Sequence, residues 1–525
     1  DLFRYRQISC AFSILFWPAM GIDGEAGVNE PESNDPGSEV RNAGRWKQYY
    51  ATFVVCFAAF SSGNVLGWAA PMMLKLPYGT IPGVNVSTLN QLLMIMQLSS
   101  IVNMMLCGFM MDNMGRRAGC WFLNLFAPAG WVFFALARAP EDLFLGGLMV
   151  SATMAAGLVV GIVFITEVSN EKLRGHFLSL IVFTHSCGVL FSHILGEFLT
   201  YKTFNLSCLG VSLLFPFVFH VLPESPSFLV LKSRFAEARS SLEWYQGNDP
   251  EAVETEMLKL LNAGKNPVKN QCKTIISSRG EMITLAVIIC LSIFAELCGT
   301  TVIETYAGVI IKDTIHRPDL ASENALILAF IRFFAGIFSV YFVEKTGRKM
   351  MLTISLGVMA CSLLMLSIIL KYSIHAPIKY SITSYVVSTR SQDSDRDVLL
   401  VSIVLSIYTV ANQIGLAVGE IVSSEIAPSD KRGMLMAIGG TLKIVTLVFC
   451  LQIYSYLQNK AVYFNYVFES VCCLIGMLTV IRYIPETRGK SFETIRGEIE
   501  KGIWAQRPET SSRTHERFTK TPTDQ

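Results

Sequence analysis

Apolar residues in this chain come in long uninterrupted runs, not in the alternating or three-four pattern of a soluble core. The runs cover approximately residues 51–73, 89–111, 119–137, 143–165, 177–200 and 206–222, then 283–308, 322–343, 350–370, 399–424, 434–457 and 462–483. Most approach the roughly 20 residues that cross a bilayer as a helix. Each is expected to be helical, because an unpaired backbone amide cannot face lipid. The pattern is six runs, a polar insert at 223–282, and six more.

The short polar breaks repeat across the two sets. Gly108…Asp112-x-x-Gly115-Arg116-Arg117 is echoed by Glu344-x-x-Gly347-Arg348-Lys349. Glu167…Arg174-Gly175 is echoed by Glu425…Arg432-Gly433, and Pro223-Glu224-Ser225 by Pro485-Glu486-Thr487. Three charged motifs recurring in one order predict a duplicated chain with two related halves.

Composition agrees. Of 525 residues 52% are hydrophobic and 16% charged, against about 25% charged in soluble proteins. The formal net charge of +2 offers no field for nucleic acid. The 13 cysteines lack regular spacing and several lie inside apolar runs, so they read as small apolar side chains rather than metal ligands. Basic residues crowd into short breaks on one side (Arg116, Arg117, Lys172, Arg174, Lys345, Arg348, Lys349, Lys431, Arg432), which places that side, and with it both termini, in the cytoplasm. The opposite side carries two Asn-x-Ser glycosylation candidates, Asn85 and Asn205.

Residues 1–47 open on an apolar stretch too short to span, followed by a polar segment expected to be a disordered cytoplasmic tail. In the insert, Phe235–Tyr245 reads as a surface helix. Asp249-Pro250 reads as the start of a second, with Val253, Met257, Leu260 and Leu261 as a stripe packed on the bundle. The segment 486–525 is expected to form a cytoplasmic tail.

With these motifs in order on the expected breaks, residues 48 to 500 resemble a sugar porter of the major facilitator superfamily, the group that includes facilitative glucose transporters and insect trehalose transporters. Gly63…Gly67-Trp68 is most similar to the insect branch. The resemblance implies an all-α membrane protein of twelve transmembrane helices in two six-helix halves, 48–222 and 283–485, with a cytoplasmic helical insert between the sixth and seventh. It implies facilitative uniport of a sugar (trehalose, a hexose or a related polyol) by alternating access, at the plasma membrane. It also implies a cytoplasmic gate of Asp112, Arg116, Arg117, Glu167, Arg174, Glu224, Glu344, Arg348, Glu425, Arg432 and Glu486. If these are surface pairs, each contributes about 0–1 kcal/mol, enough together to bias a rocking motion without locking it.

The sugar site departs from that family. Where sugar porters carry Gln-Gln-x-Ser-Gly-x-Asn in the seventh span, this chain reads Ala295-Glu296-Leu297-Cys298-Gly299-Thr300-Thr301. The usual fifth-span Gln falls on Val182, Gly-Pro-x-Pro-Trp is replaced by Leu416-Ala417-Val418-Gly419-Glu420, and the eleventh-span Asn-Trp falls near Lys443-Ile444. Glu296, Thr301, Glu420 and Lys443 are therefore the cavity candidates, since ionisable residues deep in a span are functional by default. Two accounts stay open: Lys443 pairs with Glu420 or Glu296, or the charges bind an ionic or zwitterionic solute. Glu304 and Lys312 are expected to reach water at the external end, His185 and His193 to be core residues, and Arg332 has no assigned role. Val65 and Gly147 stand where proton-linked relatives pair an Asp with an Arg, which argues against symport of that type. A non-transporting membrane sensor is the remaining alternative. No phosphate loop, nucleophile elbow or metal cluster points to an enzyme, a cofactor or a metal. The expected partners are a small solute and the bilayer, with no nucleic acid.

Overall fold

A computed structural model describes residues 36–76, 81–169, 173–246, 250–263, 279–314, 321–375, 384–428, 431–457 and 463–488, with a few positions up to 498. The first half holds α1 (Pro36–Lys75), α2 (Val86–Asn113), α3 (Arg116–Leu125), α4 (Ala127–Leu136), α5 (Pro140–Val168), α6 (Arg174–Phe198) and α7 (Tyr201–Phe219). The insert holds α8 (Pro226–Leu231), α9 (Phe235–Gln246) and α10 (Pro250–Ala263). The second half holds α11 (Arg279–Leu297), α12 (Thr300–Thr314), α13 (Ala321–Thr346), α14 (Arg348–His375), α15 (Ser384–Ile426), α16 (Arg432–Leu457) and α17 (Tyr463–Tyr483). No strand occurs among the described residues.

Ten spans are long and apolar enough to cross a membrane among the described residues. Two of them are broken helices. α3 and α4 share the span Arg116–Leu136, interrupted at Phe126 ahead of Pro128, and α11 and α12 share Glu281–Gly308, interrupted at Gly299. α5 and α7, each with a few side chains outside the described set, account for the two other apolar runs and complete the twelve. Large apolar side chains such as Phe109, Phe217, Phe338 and Leu478 are more than half exposed on the outside of the bundle, a surface suited to lipid and not to water.

Close helix approach follows from small residues, as expected where no hydrophobic driving force separates helix from lipid. A Cβ on Gly63 would overlap the carbonyl of His185, and one on Gly188 the carbonyl of Phe60, so α1 and α6 meet backbone to backbone. The halves touch along α2–α16, α6–α13 and α1–α12.

Two expectations are revised by the structure. α1 begins at Pro36, within the segment read as a tail. The stripe Met257, Leu260 and Leu261 packs not on the bundle but on Phe228, Leu229, Val230 and Ala238 of α8 and α9, giving the insert a small core of its own. α9 in turn seats on α1: Gln48 Nε2 donates to the Tyr245 carbonyl at 3.3 Å and the Tyr245 hydroxyl donates to the Pro223 carbonyl at 3.0 Å. Burial pushes that phenol well above its ordinary value. Asp249 lies outside the described residues.

Candidate functional site

The cytoplasmic motifs fold into a repeated device. Gly115 has φ +113° and Gly347 φ +90°, a region open to glycine, and each immediately precedes a helix. On each glycine sits a carboxylate from the sequence-distant Pro-Glu motif. Glu224 accepts the backbone N–H of Arg116 at 2.9 Å and of Arg117 at 3.2 Å, capping α3. Glu486 accepts those of Arg348 at 2.9 Å and Lys349 at 3.1 Å, capping α14. A Cβ on either glycine would run into the capping carboxylate. Burial raises the Glu224 carboxyl above its ordinary value, against the opposing pull of the N–H donors of Ser225, Arg117 and Arg116 and of the Arg116 charge. Glu224 and Glu486 therefore brace helix ends inside their own halves.

The ion pairs follow the same doubling. Arg116 grips Glu167 through Nε (2.9 Å to Oε2) and Nη2 (2.8 Å to Oε1), and its Nη1 donates to the Met111 carbonyl at 2.9 Å. Ser225 Oγ donates to Glu167 Oε2 at 2.5 Å. In the second half Arg348 Nη2 lies 3.4 Å from Glu425 Oε1. These are not surface pairs: Arg116, Glu167, Arg348 and Glu425 are all at least nine-tenths buried, because α8 and its flanks cover the first set, with Phe228 stacked 5.3 Å from the Arg116 guanidinium. The low surface value expected from sequence does not apply to them.

Two contacts of this cytoplasmic cluster, among the described residues, cross between the halves. Asp112 at the end of α2 faces the first turn of α16, where a Cβ on Gly433 would meet its carboxylate at 2.5 Å. Arg432 Nη1 approaches Glu167 Oε1 at 4.0 Å. Arg117 does not join the cluster; its guanidinium donates to the His220 carbonyl at 2.8 Å and ties down the end of α7. Arg174 is buried at the start of α6, and the Glu344 side chain lies outside the described set.

Above this floor lies a cavity of about 680 Å³ between the halves. Glu296, Thr301, Glu420 and Lys443 all line it, together with Gln97 and Asn412. Lys443 Nζ of α16 lies 2.9 Å from Glu420 Oε1 of α15. Glu296 lies beside Thr301 and forms no ion pair within 4.0 Å among the described residues, though it feels the Lys443 charge. Glu304 does not simply reach water: it forms an ion pair with Arg332, whose Nε donates to Ser186 Oγ at 3.4 Å across the halves. That contact gives Arg332 its place. His193 Nδ1 bonds the Val189 carbonyl of its own helix at 2.9 Å, and His185 is buried on the cavity wall. Lys312 lies outside the described side chains.

On the external side the halves meet again, through Tyr306 Oη and Asn90 Oδ1 at 3.1 Å and Gln452 Nε2 and Met94 Sδ at 3.4 Å. The two sequon residues differ. Asn85 is exposed and caps α2 by accepting the Thr88 N–H at 2.8 Å. Asn205 is wholly buried within α7, accepting from Trp68 Nε1 at 2.9 Å and donating to the Tyr201 carbonyl at 2.8 Å, so this fold leaves no room for a glycan there. Sequence reasoning missed Asn412, whose Oδ1 accepts from Thr300 Oγ1 at 2.8 Å, and Glu469, buried in α17. A polar residue inside an apolar run was the available signal for both.

Residues 49–498 match the family described as sugar (and other) transporter. The chain belongs to that family. Among its relatives, this sugar porter is 25% identical to the facilitated trehalose transporter Tret1 of Bombyx mori over 87% of the chain and 88% of that protein. It is 23% identical to the sugar transporter ERD6 of Arabidopsis thaliana over 91% of the chain and 92% of the relative. Its fold matches the proton:xylose symporter XylE bound to 6-bromo-6-deoxy-D-glucose with a TM-score of 0.72 at 17% identity, covering 86% of this chain and 99% of the other. The sugar porter thus has the major facilitator fold and, by its family, is a membrane transporter and not an enzyme.

Proposed function

We propose that this protein carries a sugar or closely related polyol down its gradient by alternating access, at the plasma membrane with both termini cytoplasmic. The observation that carries the reading is the closure of the halves beneath the cavity, by Asp112 on the first turn of α16 and by Arg432 beside Glu167. A seam built from a few polar contacts can part as the halves rock. The cavity of about 680 Å³ falls in the range of about 300–1,000 Å³ that small-molecule sites occupy, ample for a hexose or a disaccharide. Gln97, Asn412, Thr301 and the carboxylates offer acceptors and donors to hydroxyl groups.

The test is uptake of radiolabelled trehalose, glucose and a panel of polyols into proteoliposomes. Saturable flux for one of them, competed by its unlabelled form, is expected; a blank across the panel refutes the reading. A second reading, an organic-ion or zwitterion carrier, is favoured by one observation. The cavity wall holds Glu296, Glu304 and Glu420 against Arg332 and Lys443, one carboxylate in excess. Flux of a cationic amine abolished by Glu420→Gln, with no sugar flux, would replace the first reading with this one.

A further inference from the structure

The glycine-and-carboxylate device occurs a third time. Gly299 has φ +84°, immediately precedes α12, and would place a Cβ 2.5 Å from Oε2 of Glu469 on α17. At the two cytoplasmic copies the carboxylate accepts the first N–H groups of the helix it faces. At the third, no hydrogen bond joins Glu469 to the first N–H groups of α12, whose Thr301 lies beside Glu296 instead. Glu469 is left with a single hydrogen bond, from Asn465 Nδ2 to Oε1 at 2.8 Å, and Oε2 has no partner.

Glu469 is 1% exposed, and no ion pair reaches it among the described residues. The titratable groups around it are all acids or thiols: Cys298 at the end of α11, Tyr408 on α15, Cys450 on α16, and Tyr466, Cys472 and Cys473 on α17. Tyr408 spends its hydroxyl proton on the Cys298 carbonyl at 2.7 Å. An ionised carboxylate held there costs several kcal/mol, with only the Asn465 amide to offset it. The same side chain ionised would be well placed at a helix N-terminus whose amides were free. The conformation seen is therefore the one that suits the neutral acid.

We propose that Glu469 is a proton-operated switch on α12. Protonated, it lets α12 seat against α2 through Tyr306 and Asn90, which closes the external side. On losing its proton to external water it draws donors from the start of α12 or from solvent, which unseats that helix and holds the external side open. Turnover, which needs both seatings in succession, then slows as the solution becomes more alkaline. The switch acts on the carrier proposed above and rests on that reading for its flux consequence, though not for the protonation itself.

The full chain in proteoliposomes, with equal pH on both sides and radiolabelled trehalose and glucose as probes, gives the test. Wild-type flux is expected to fall several-fold as the pH is raised and the acid ionises. Glu469→Gln, neutral at every pH, should stay near the acid-side rate throughout. Asn465→Ala, which removes a donor that favours the ionised form, should move the wild-type fall to higher pH. A flat wild-type profile, or an unchanged fall in Glu469→Gln, overturns the proposal. A substrate-free measurement separates this from failure of the sugar reading. A buried neutral acid stabilises the fold fully at low pH and less as pH rises through its folded-state titration. The thermal midpoint in detergent should therefore drop with pH in the wild type and lose that component in Glu469→Gln. Identical slopes overturn the switch whatever is carried; a Glu469-dependent slope without sugar flux supports the protonation site and removes the sugar reading alone.

Discussion

Removing Arg116 should destabilise this protein far more than removing a surface arginine. In Arg116→Ala, Glu167 loses its bidentate partner (2.8 and 2.9 Å), Met111 loses a donor to its carbonyl, and Asp112 loses a cation at 3.6 Å. Glu167, fully buried, keeps Ser225 Oγ and an arginine no nearer than 4.0 Å. Breaking one side of a buried pair costs about 3–5 kcal/mol, mostly from the stranded charge. Replacing both partners with apolar groups of similar volume is close to neutral by the same reasoning. Arg116→Ala should therefore lose about 3–5 kcal/mol, and Arg116→Met combined with Glu167→Met should recover most of that loss. Equilibrium unfolding by SDS titration in mixed micelles reads both. A loss below about 1 kcal/mol in the single variant, the value of an exposed pair, or a double variant as unstable as the single, refutes the account of a buried, covered pair.

Four further outcomes follow from the same geometry. Asp112→Asn removes a carboxylate charge at the first turn of α16, an interaction worth about 0.3–1 kcal/mol, so the buried thiol of Cys107, on the same helix, should label several-fold faster with a membrane-permeant maleimide. Gly115→Ala combines a positive φ with overlap of the Glu224 carboxylate and should cost about 2 kcal/mol or more. Gly347→Ala, whose Cβ stops 2.9 Å from Glu486, should cost less in the same unfolding assay. Lys443→Met should impair flux more than Lys443→Met with Glu420→Gln, because the single change strands a cavity carboxylate that lies 2.9 Å from the ammonium. Asn85→Gln should remove any glycan shift on gels from glycosylating cells, whereas Asn205→Gln should leave mobility unchanged and lower stability by breaking the Trp68 bond.

What was legible in the sequence was whatever is repeated or local. The charged motifs stood out because they occur twice at helix ends, and the spans because twenty consecutive apolar residues need no partner to be recognised. What was not legible depends on which helix lies beside which. Glu304 and Arg332 sit on different helices, and nothing in the spacing between them announces a pair. Glu469 is a lone acid among aromatic and apolar residues of α17, and its meaning appears only when Gly299 of another helix is seen against it. The pairs at the cytoplasmic side read as exposed because they border polar loops; it took α8, Ser225 and Phe228 folding over them to bury them. Asn205 shows the same limit from the other side, since a sequon records three residues and not the packing of Trp68 above them.

The arrangement of carboxylates explains how one motif family serves two ends. Glu224 and Glu486 spend their charge on helix ends within a half, together with covalently nearby turns, so those bonds persist whichever way the halves rock. Asp112 directs its charge across the seam, toward the first turn of α16. A carboxylate at a helix N-terminus is worth about 0.3–1 kcal/mol, up to about 2 when partly buried, and when the seam opens both the carboxylate and the helix end can be taken up by water, which returns much of that energy. The seam is thus held by an interaction whose broken state is well solvated, while the bracing of each half is held by interactions whose broken state is a buried stranded charge. That difference in the broken state, more than any difference in bond length, separates the part of the cytoplasmic cluster that can gate from the part that must stay rigid.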